Sequence, residues 1–169
     1  MSDIDGATGK LVPMLWFKVG EARKAAEFYA SVFPDSHVGD ANDTPADNPG
    51  TRTGEEQIVA FTVCGQRFIG LNGGDMFTPN EAISFMVHTD DQAETDRYWD
   101  AIVGNGGAES ACGWCKDRWG FSWQITPRAL LAAMADPDRA AAKRAMEAMM
   151  TMRKIDIAAI EAARRGVDA

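Results

Sequence analysis

Cys112-Gly113-Trp114-Cys115-Lys116-Asp117-Arg118-Trp119-Gly120-Phe121-Ser122-Trp123-Gln124-Ile125-Thr126-Pro127 is the stretch whose reading decides the fold. Trp114, Trp119 and Trp123 crowd into it, and residues this large dominate whatever core or pocket receives them. The pattern predicts a hairpin: a strand over Trp114–Lys116, a turn over Asp117–Gly120, and a second strand over Phe121–Thr126 that alternates apolar and polar side chains. Pro127 closes the run.

Upstream, the same kind of unit is met twice. Leu11–Val19 alternates as a strand. Ala25, Phe28, Tyr29 and Val32 then fall at helical spacing, and Pro34 stops the helix. A short strand near His37–Gly39 precedes a polar, mobile loop through residue 55. Ile58–Val63 and Arg67–Leu71 form a hairpin turning at Cys64-Gly65-Gln66. After the turn-rich segment Asn72–Asn80, Ile83–Thr89 reads as a strand. Asp90 or Asp91 caps a helix running to Ile102, and Gly104-Asn105-Gly106-Gly107 ends it. Ala108–Cys112 and the tryptophan hairpin complete the order. The sequence therefore reads as βαβββ written twice, an α+β fold with helices on one face of each sheet. The expected organisation is a loose N-terminus (1–10), a first module (11–75), a second module (82–127) and a C-terminal helical extension (128–169). In that extension Asp136 is the expected helix cap and Pro137 the first helical residue.

The chain has 169 residues, a formal net charge of −8, 46% hydrophobic and 25% charged residues. That is an ordinary globular composition. The acidic balance argues against nucleic acid and anionic membrane surfaces as partners, since both need a basic face. Lys143, Arg144, Arg153, Lys154, Arg164 and Arg165 alternate with acids and alanines, as on a solvated helix face. No run of about 18 apolar residues suggests a membrane span. The opening Met-Ser-Asp-Ile-Asp-Gly lacks the character of a secretory signal, so a cytoplasmic protein with three free thiols is expected. Met146, Met149, Met150 and Met152, with Ile155, Ile157 and Ile160, offer apolar surface to the sheet or to a partner subunit, and a homodimer is expected.

Strand alternation predicts which side chains share a face. Met14, Trp16 and Lys18 are expected on the side away from the helix, and so are Phe68, Gly70 and Asn72, with Ile69 and Leu71 behind them. In the second module Ser84, Met86 and His88 should lie beside Ser122, Gln124 and Thr126. His88 is the one candidate there for proton transfer near neutral pH. Lys116 and Asp117 can bind a polar or anionic ligand or simply be solvated. Cys112 and Cys115 form a C-x-x-C, but in a strand-like hairpin positions three apart point to opposite faces, which favours structural thiols over a redox or zinc pair.

Several of these segments, taken in order, resemble one family. They are Leu15-Trp16-Phe17, Ala26-Glu27-Phe28-Tyr29 with Ser31-Val32-Phe33-Pro34, and Gly65-Gln66-Arg67-Phe68 with Leu71-Asn72-Gly73-Gly74. Ala82-Ile83-Ser84-Phe85, Asp91-Gln92 with Trp99, Cys112-Gly113-Trp114, Lys116-Asp117 and Ser122-Trp123-Gln124-Ile125 complete the set. Together they resemble the PhnB-like branch of the vicinal-oxygen-chelate, or glyoxalase/bleomycin-resistance, superfamily, often labelled 3-demethylubiquinone-9 3-methyltransferase. The resemblance implies paired βαβββ modules with curved mixed sheets around a cavity, commonly as a homodimer. In metal-dependent relatives, four strand positions supply His, Glu or Gln ligands. Here they correspond to Met14, Gly70, Ser84 and Gln124, of which only Gln124 can coordinate. The glycine run 104–107 follows a helix rather than a strand, unlike a dinucleotide-type S-adenosylmethionine site. The expectation is a metal-free, cofactor-free, aromatic-lined cavity that binds an unidentified small molecule through Trp16, Asn72, Ser84, Trp114, Ser122 and Gln124. The alternative is an enzyme, a transferase or isomerase, acting on a small organic substrate.

Overall fold

The computed structural model of the chain describes residues 10–167. Of the N-terminal segment expected to be loose, residues 1–9 lie outside the described residues. The chain divides into two compact units between Pro79 and Asn80. Each carries one four-stranded mixed, open sheet with a helix against it, and the described residues contain five helices in all.

In the first unit, β1 (Met14–Phe17), α1 (Ala22–Val32), β2 (His37–Asp43), β3 (Glu56–Val63) and β4 (Gln66–Asn72) form a sheet of order β1-β4-β3-β2. β1 runs parallel to β4, whereas β3 is antiparallel to both β4 and β2. The β3–β4 turn is Cys64-Gly65, with φ of 48° and 75°. Two successive left-handed residues match the twist of the strands they join, which is why glycine suits the second. Ala22, Ala25, Ala26 and Tyr29 of α1 are buried on the sheet, where Leu15, Phe17, Val59, Phe61 and Phe68 meet them. Phe61 and Phe68 stack at 5.4 Å between ring centres. Burying a side chain of this size stabilises by roughly 1.5–3 kcal/mol.

Two expectations change here. β2 extends to Asp43, and the following loop is tied rather than loose. Thr44 N–H donates to Glu55 C=O (2.8 Å) and Gly54 N–H to Thr44 C=O (2.9 Å). Asn48 Oδ1 accepts from the N–H groups of Gly50 and Thr51 at 2.8 and 2.9 Å. Asn and Asp fold a chain onto their own backbone in this way, a signal that polar composition alone hides. The face assignment of β4 is also inverted. The parallel register sets Trp16 beside Leu71 and Phe17 beside Asn72, so Phe68, Gly70 and Asn72 face the helix. A Cβ on Gly70 would sit 3.0 Å from that of Ala22. Ile69 and Leu71, not Gly70 and Asn72, share the outer face with Met14 and Trp16.

The second unit holds β5 (Ser84–Thr89), α2 (Gln92–Gly104), β6 (Ala108–Glu109), β7 (Trp114–Lys116) and β8 (Ser122–Pro127), with sheet order β5-β8-β7-β6. Asp91 caps α2, its carboxylate accepting from Glu94 N–H at 2.8 Å. Tyr98, Trp99 and Ile102 of α2 pack on a face that includes Cys115, Trp123 and Ile125, all buried. The Asp117 turn is built around one carboxylate. Asp117 is buried and accepts from Trp119 N–H (2.9 Å), Phe121 N–H (3.1 Å) and the Trp123 indole (2.9 Å).

Residues 128–165 carry α3 (Arg128–Met134), α4 (Arg139–Met149) and α5 (Ile157–Arg165). Leu130, Ala133, Ala145, Ile155 and Ile160 form their shared core. The Gln92 amide ties α2 to this bundle, donating to Ile155 C=O and accepting from Ile157 N–H at 3.1 and 2.9 Å. The α4 cap is Asp138, not Asp136. Asp136 instead accepts from Asp138 N–H and from Arg164, so the proline precedes the cap.

Candidate functional site

The open face of the second sheet gathers most of the residues singled out by sequence. Register sets Lys116, Ser122 and Ser84 in one row across β7, β8 and β5, and Trp114, Gln124 and Met86 in the next. Thr126 and His88 follow. The pairing of Ser84, Met86 and His88 with Ser122, Gln124 and Thr126 is the one alternation predicts. Hairpin pairing puts Trp114 on the same face as Gln124, which alternation along β8 alone does not reveal.

Gln124 reaches diagonally across to β5, donating to Ser84 Oγ at 2.7 Å. Ser84 and Gln124 are half-buried, and Ser122 is only 2% exposed. Ser122 Oγ is buried and finds no hydrogen-bond partner among the described residues. A buried hydroxyl left unpaired costs roughly 1–3 kcal/mol, so native proteins rarely leave one without a use. At the end of the same row Lys116 forms an ion pair with Glu81, from the turn preceding β5. This hydrogen bond from Lys116 holds the Glu81 carboxyl below the usual carboxylate range. Glu81 is the one participant that the sequence does not single out, because an exposed acid in a turn carries no periodic signal.

His88 is exposed. No carboxylate or carbonyl among the described residues orients its ring. Cys115 lies on the helix-covered face, where burial pushes its thiol up to about 12. Cys112 sits half-buried in the turn before β7 with φ of 59°, and all three cysteines are free thiols.

Trp16 and Asn72 belong to the first unit and have different tasks. The Trp16 indole donates to Gly74 C=O at 2.8 Å and meets Phe77 edge-on at 4.8 Å. A Cβ on Gly73 would sit 2.4 Å from two carbons of the indole, so the backbone there lies directly against the ring. Asn72, expected to bind ligand, is instead 1% exposed on the helix side. Its Oδ1 accepts from Ala22 N–H at 3.0 Å and its Nδ2 donates to Glu56 C=O at 2.9 Å. The amide therefore caps α1 from a distant strand, satisfying an N–H that the first helical turn leaves open.

The positions at which the resemblance implies metal ligands offer a divalent ion little: Gly70 has no side-chain donor and faces α1, Met14 carries only a thioether, and Ser84 and Gln124 carry neutral oxygens. Among the described residues, no three His, Cys, Asp or Glu side chains come together.

Two open mixed sheets, each with βαβββ order and one helix-covered face, are the two βαβββ modules that the resemblance implies. Residues 9–126 match the family 3-demethylubiquinone-9 3-methyltransferase, and the chain belongs to that family. A Bacillus cereus PhnB protein carrying the same methyltransferase label is 27% identical, covering 70% of this chain and 99% of its own, with a TM-score of 0.61. The Pseudomonas aeruginosa protein PA1353 has the same fold at 18% identity over 71% of this chain and 98% of its own, TM-score 0.52. The Listeria monocytogenes fosfomycin resistance protein FosX, solved with Mn(II) and sulfate, is 15% identical over 70% of this chain and 91% of its own, TM-score 0.49. No curated protein matches the chain. No helix of the described residues is long and apolar enough to cross a membrane.

Proposed function

We propose that the second unit binds a small planar molecule on the open face of its sheet. Trp114 forms the apolar wall, and Ser84, Ser122 and Gln124 form a polar line beside it. Pockets that recognise small molecules are commonly furnished this way, with few polar groups on an apolar surface. The observation that carries the reading is the buried, unpartnered Ser122 hydroxyl in the same row as Ser84. A ligand oxygen placed there would satisfy it. The Gln124–Ser84 hydrogen bond holds both side chains in place before a ligand arrives, which lowers the cost of ordering them.

A panel of planar small molecules, scored by calorimetry and by tryptophan fluorescence, tests this. Saturable heat and quenching that are lost in Trp114→Leu and weakened in Gln124→Ala support the site. Binding that survives both substitutions would move it elsewhere.

Family membership favours a second reading, a transferase acting on a small aromatic substrate at the same face. Turnover separates the two: the binder returns its ligand unchanged, and the transferase yields a modified product by mass spectrometry.

We also propose a homodimer. Ile155 and Ile160 are consumed by the chain's own helical core, but Met146 and Met150 remain 41% and 53% exposed. They line a groove of about 450 Å³ with Met134 and Ala142. Light scattering at micromolar concentration checks this, and a monomer mass overturns it.

A further inference from the structure

We infer that the molecule taken by this face carries an anionic group, and that Glu81 occupies the anion's place on Lys116 until it arrives. The inference rests on the small-molecule reading above and assigns the ligand's chemistry. In the first row, three donors point to one side of the sheet. These are the Ser122 hydroxyl, which has no partner among the described residues, the Ser84 hydroxyl, whose oxygen accepts from Gln124, and the Lys116 ammonium. The carboxylate facing them comes from an exposed turn. The side chain of Glu81 is 63% exposed, against 35% for Lys116. The cation is thus the enclosed member of the pair and its counter-ion the displaceable one. A carboxylate accepts several hydrogen bonds at once and matches converging hydroxyl and ammonium donors, whereas a neutral amide cannot replace Glu81's charge.

The second row sets the rest of the molecule. Gln124, paired with Trp114 across the hairpin, spends one N–H on Ser84 and keeps its carbonyl oxygen as an acceptor. The ligand class is therefore a planar aromatic acid, its carboxylate on the first row and its ring on the Trp114 side of the second.

The test compares 4-hydroxybenzoate with 4-hydroxybenzamide by calorimetry on the full chain. The acid should bind about tenfold or more tightly than the amide, the effect of one well-placed charge pair. Lys116→Met should erase that preference and leave amide binding in place. Glu81→Gln should strengthen the acid and leave the amide unchanged. Thermal unfolding of each variant confirms that it is folded. Acid and amide binding equally, with the Trp114 response intact, would overturn the anion assignment and spare the small-molecule reading. Binding of neither probe would overturn the reading beneath it, and with it this inference. Tighter acid binding that persists in Lys116→Met would place the cation elsewhere and also overturn it.

Discussion

Replacing Asn72 with alanine separates a structural amide from a ligand-binding one. The substitution removes two hydrogen bonds at once, to Ala22 N–H and to Glu56 C=O. Ala22 is fully buried, so its N–H finds no water and incurs the upper part of the roughly 1–3 kcal/mol for an unsatisfied buried group. Glu56 is only half-buried, and its carbonyl lies nearer the lower end. The sum is about 2–4 kcal/mol, against about 0.5 kcal/mol or less for an uninvolved surface position. With a urea slope of about 2 kcal/mol per molar, the unfolding midpoint should fall by roughly 1–2 M. Equilibrium urea unfolding followed by far-UV circular dichroism reads this directly. A midpoint within 0.2 M of wild type, as an order-of-magnitude threshold, would refute the capping role. So would unchanged stability with loss of a ligand that wild type binds, because that would return Asn72 to the site.

Gly73→Ala should lower stability by about 1–3 kcal/mol, because the new methyl must displace the Trp16 indole. Near-UV circular dichroism should change with the urea midpoint, and an unaltered spectrum would argue against the close packing. Cys115 should react with iodoacetamide at pH 8 about a thousandfold or more slowly than exposed Cys64, since a thiol raised to about 12 is almost never a thiolate there. Peptide mapping that finds Cys115 labelled as early as Cys64 would contradict its burial. Asp96 is held below its ordinary pKa mainly by a hydrogen bond from Lys154 and then by one from Gln92. A depressed carboxylate stabilises the fold above its unfolded pKa, near 4, and loses that contribution as pH falls through the lower folded value. Asp96→Asn should therefore cost about 0.2–1 kcal/mol at pH 7, a figure reduced by solvent screening, and nothing near pH 2. Equal loss at both pH values in urea titrations would assign the effect to packing instead.

The element order was legible because both modules announce their helices and hairpins by spacing. Register across β5 and β8 followed from simple alternation, since Phe85, Val87, Trp123 and Ile125 form one apolar face and a slip would bury Gln124 among them. The same logic failed in β4. Phe68, Gly70 and Asn72 include a glycine and an amide, which look like cavity furniture, whereas Ile69 and Leu71 look like core. What decided the face was the parallel pairing with β1, a contact between strands about fifty residues apart that single-strand alternation cannot see. Glu81 was invisible for a similar reason, because its role depends on a turn bringing it to Lys116. Asn48 could have been found locally: an Asn followed two and three residues later by Gly50 and Thr51 is a recognisable side-chain turn.

In both units the first strand lies parallel to the last, Met14 beside Ile69 and Ser84 beside Ser122. During synthesis β1 therefore leaves the ribosome long before its partner exists. At about 5–20 residues per second, the wait until β4 emerges is roughly 3–10 s. Through that interval Leu15, Trp16 and Phe17 have no strand to pair with, and an unpaired apolar strand invites wrong partners. Nascent chains halted before Gln66 should be protease-sensitive throughout, and those halted well beyond Asn72 should protect the first unit as one block. Each sheet is thus closed by the strand made last, and shortening it from that strand takes away the partner of its first.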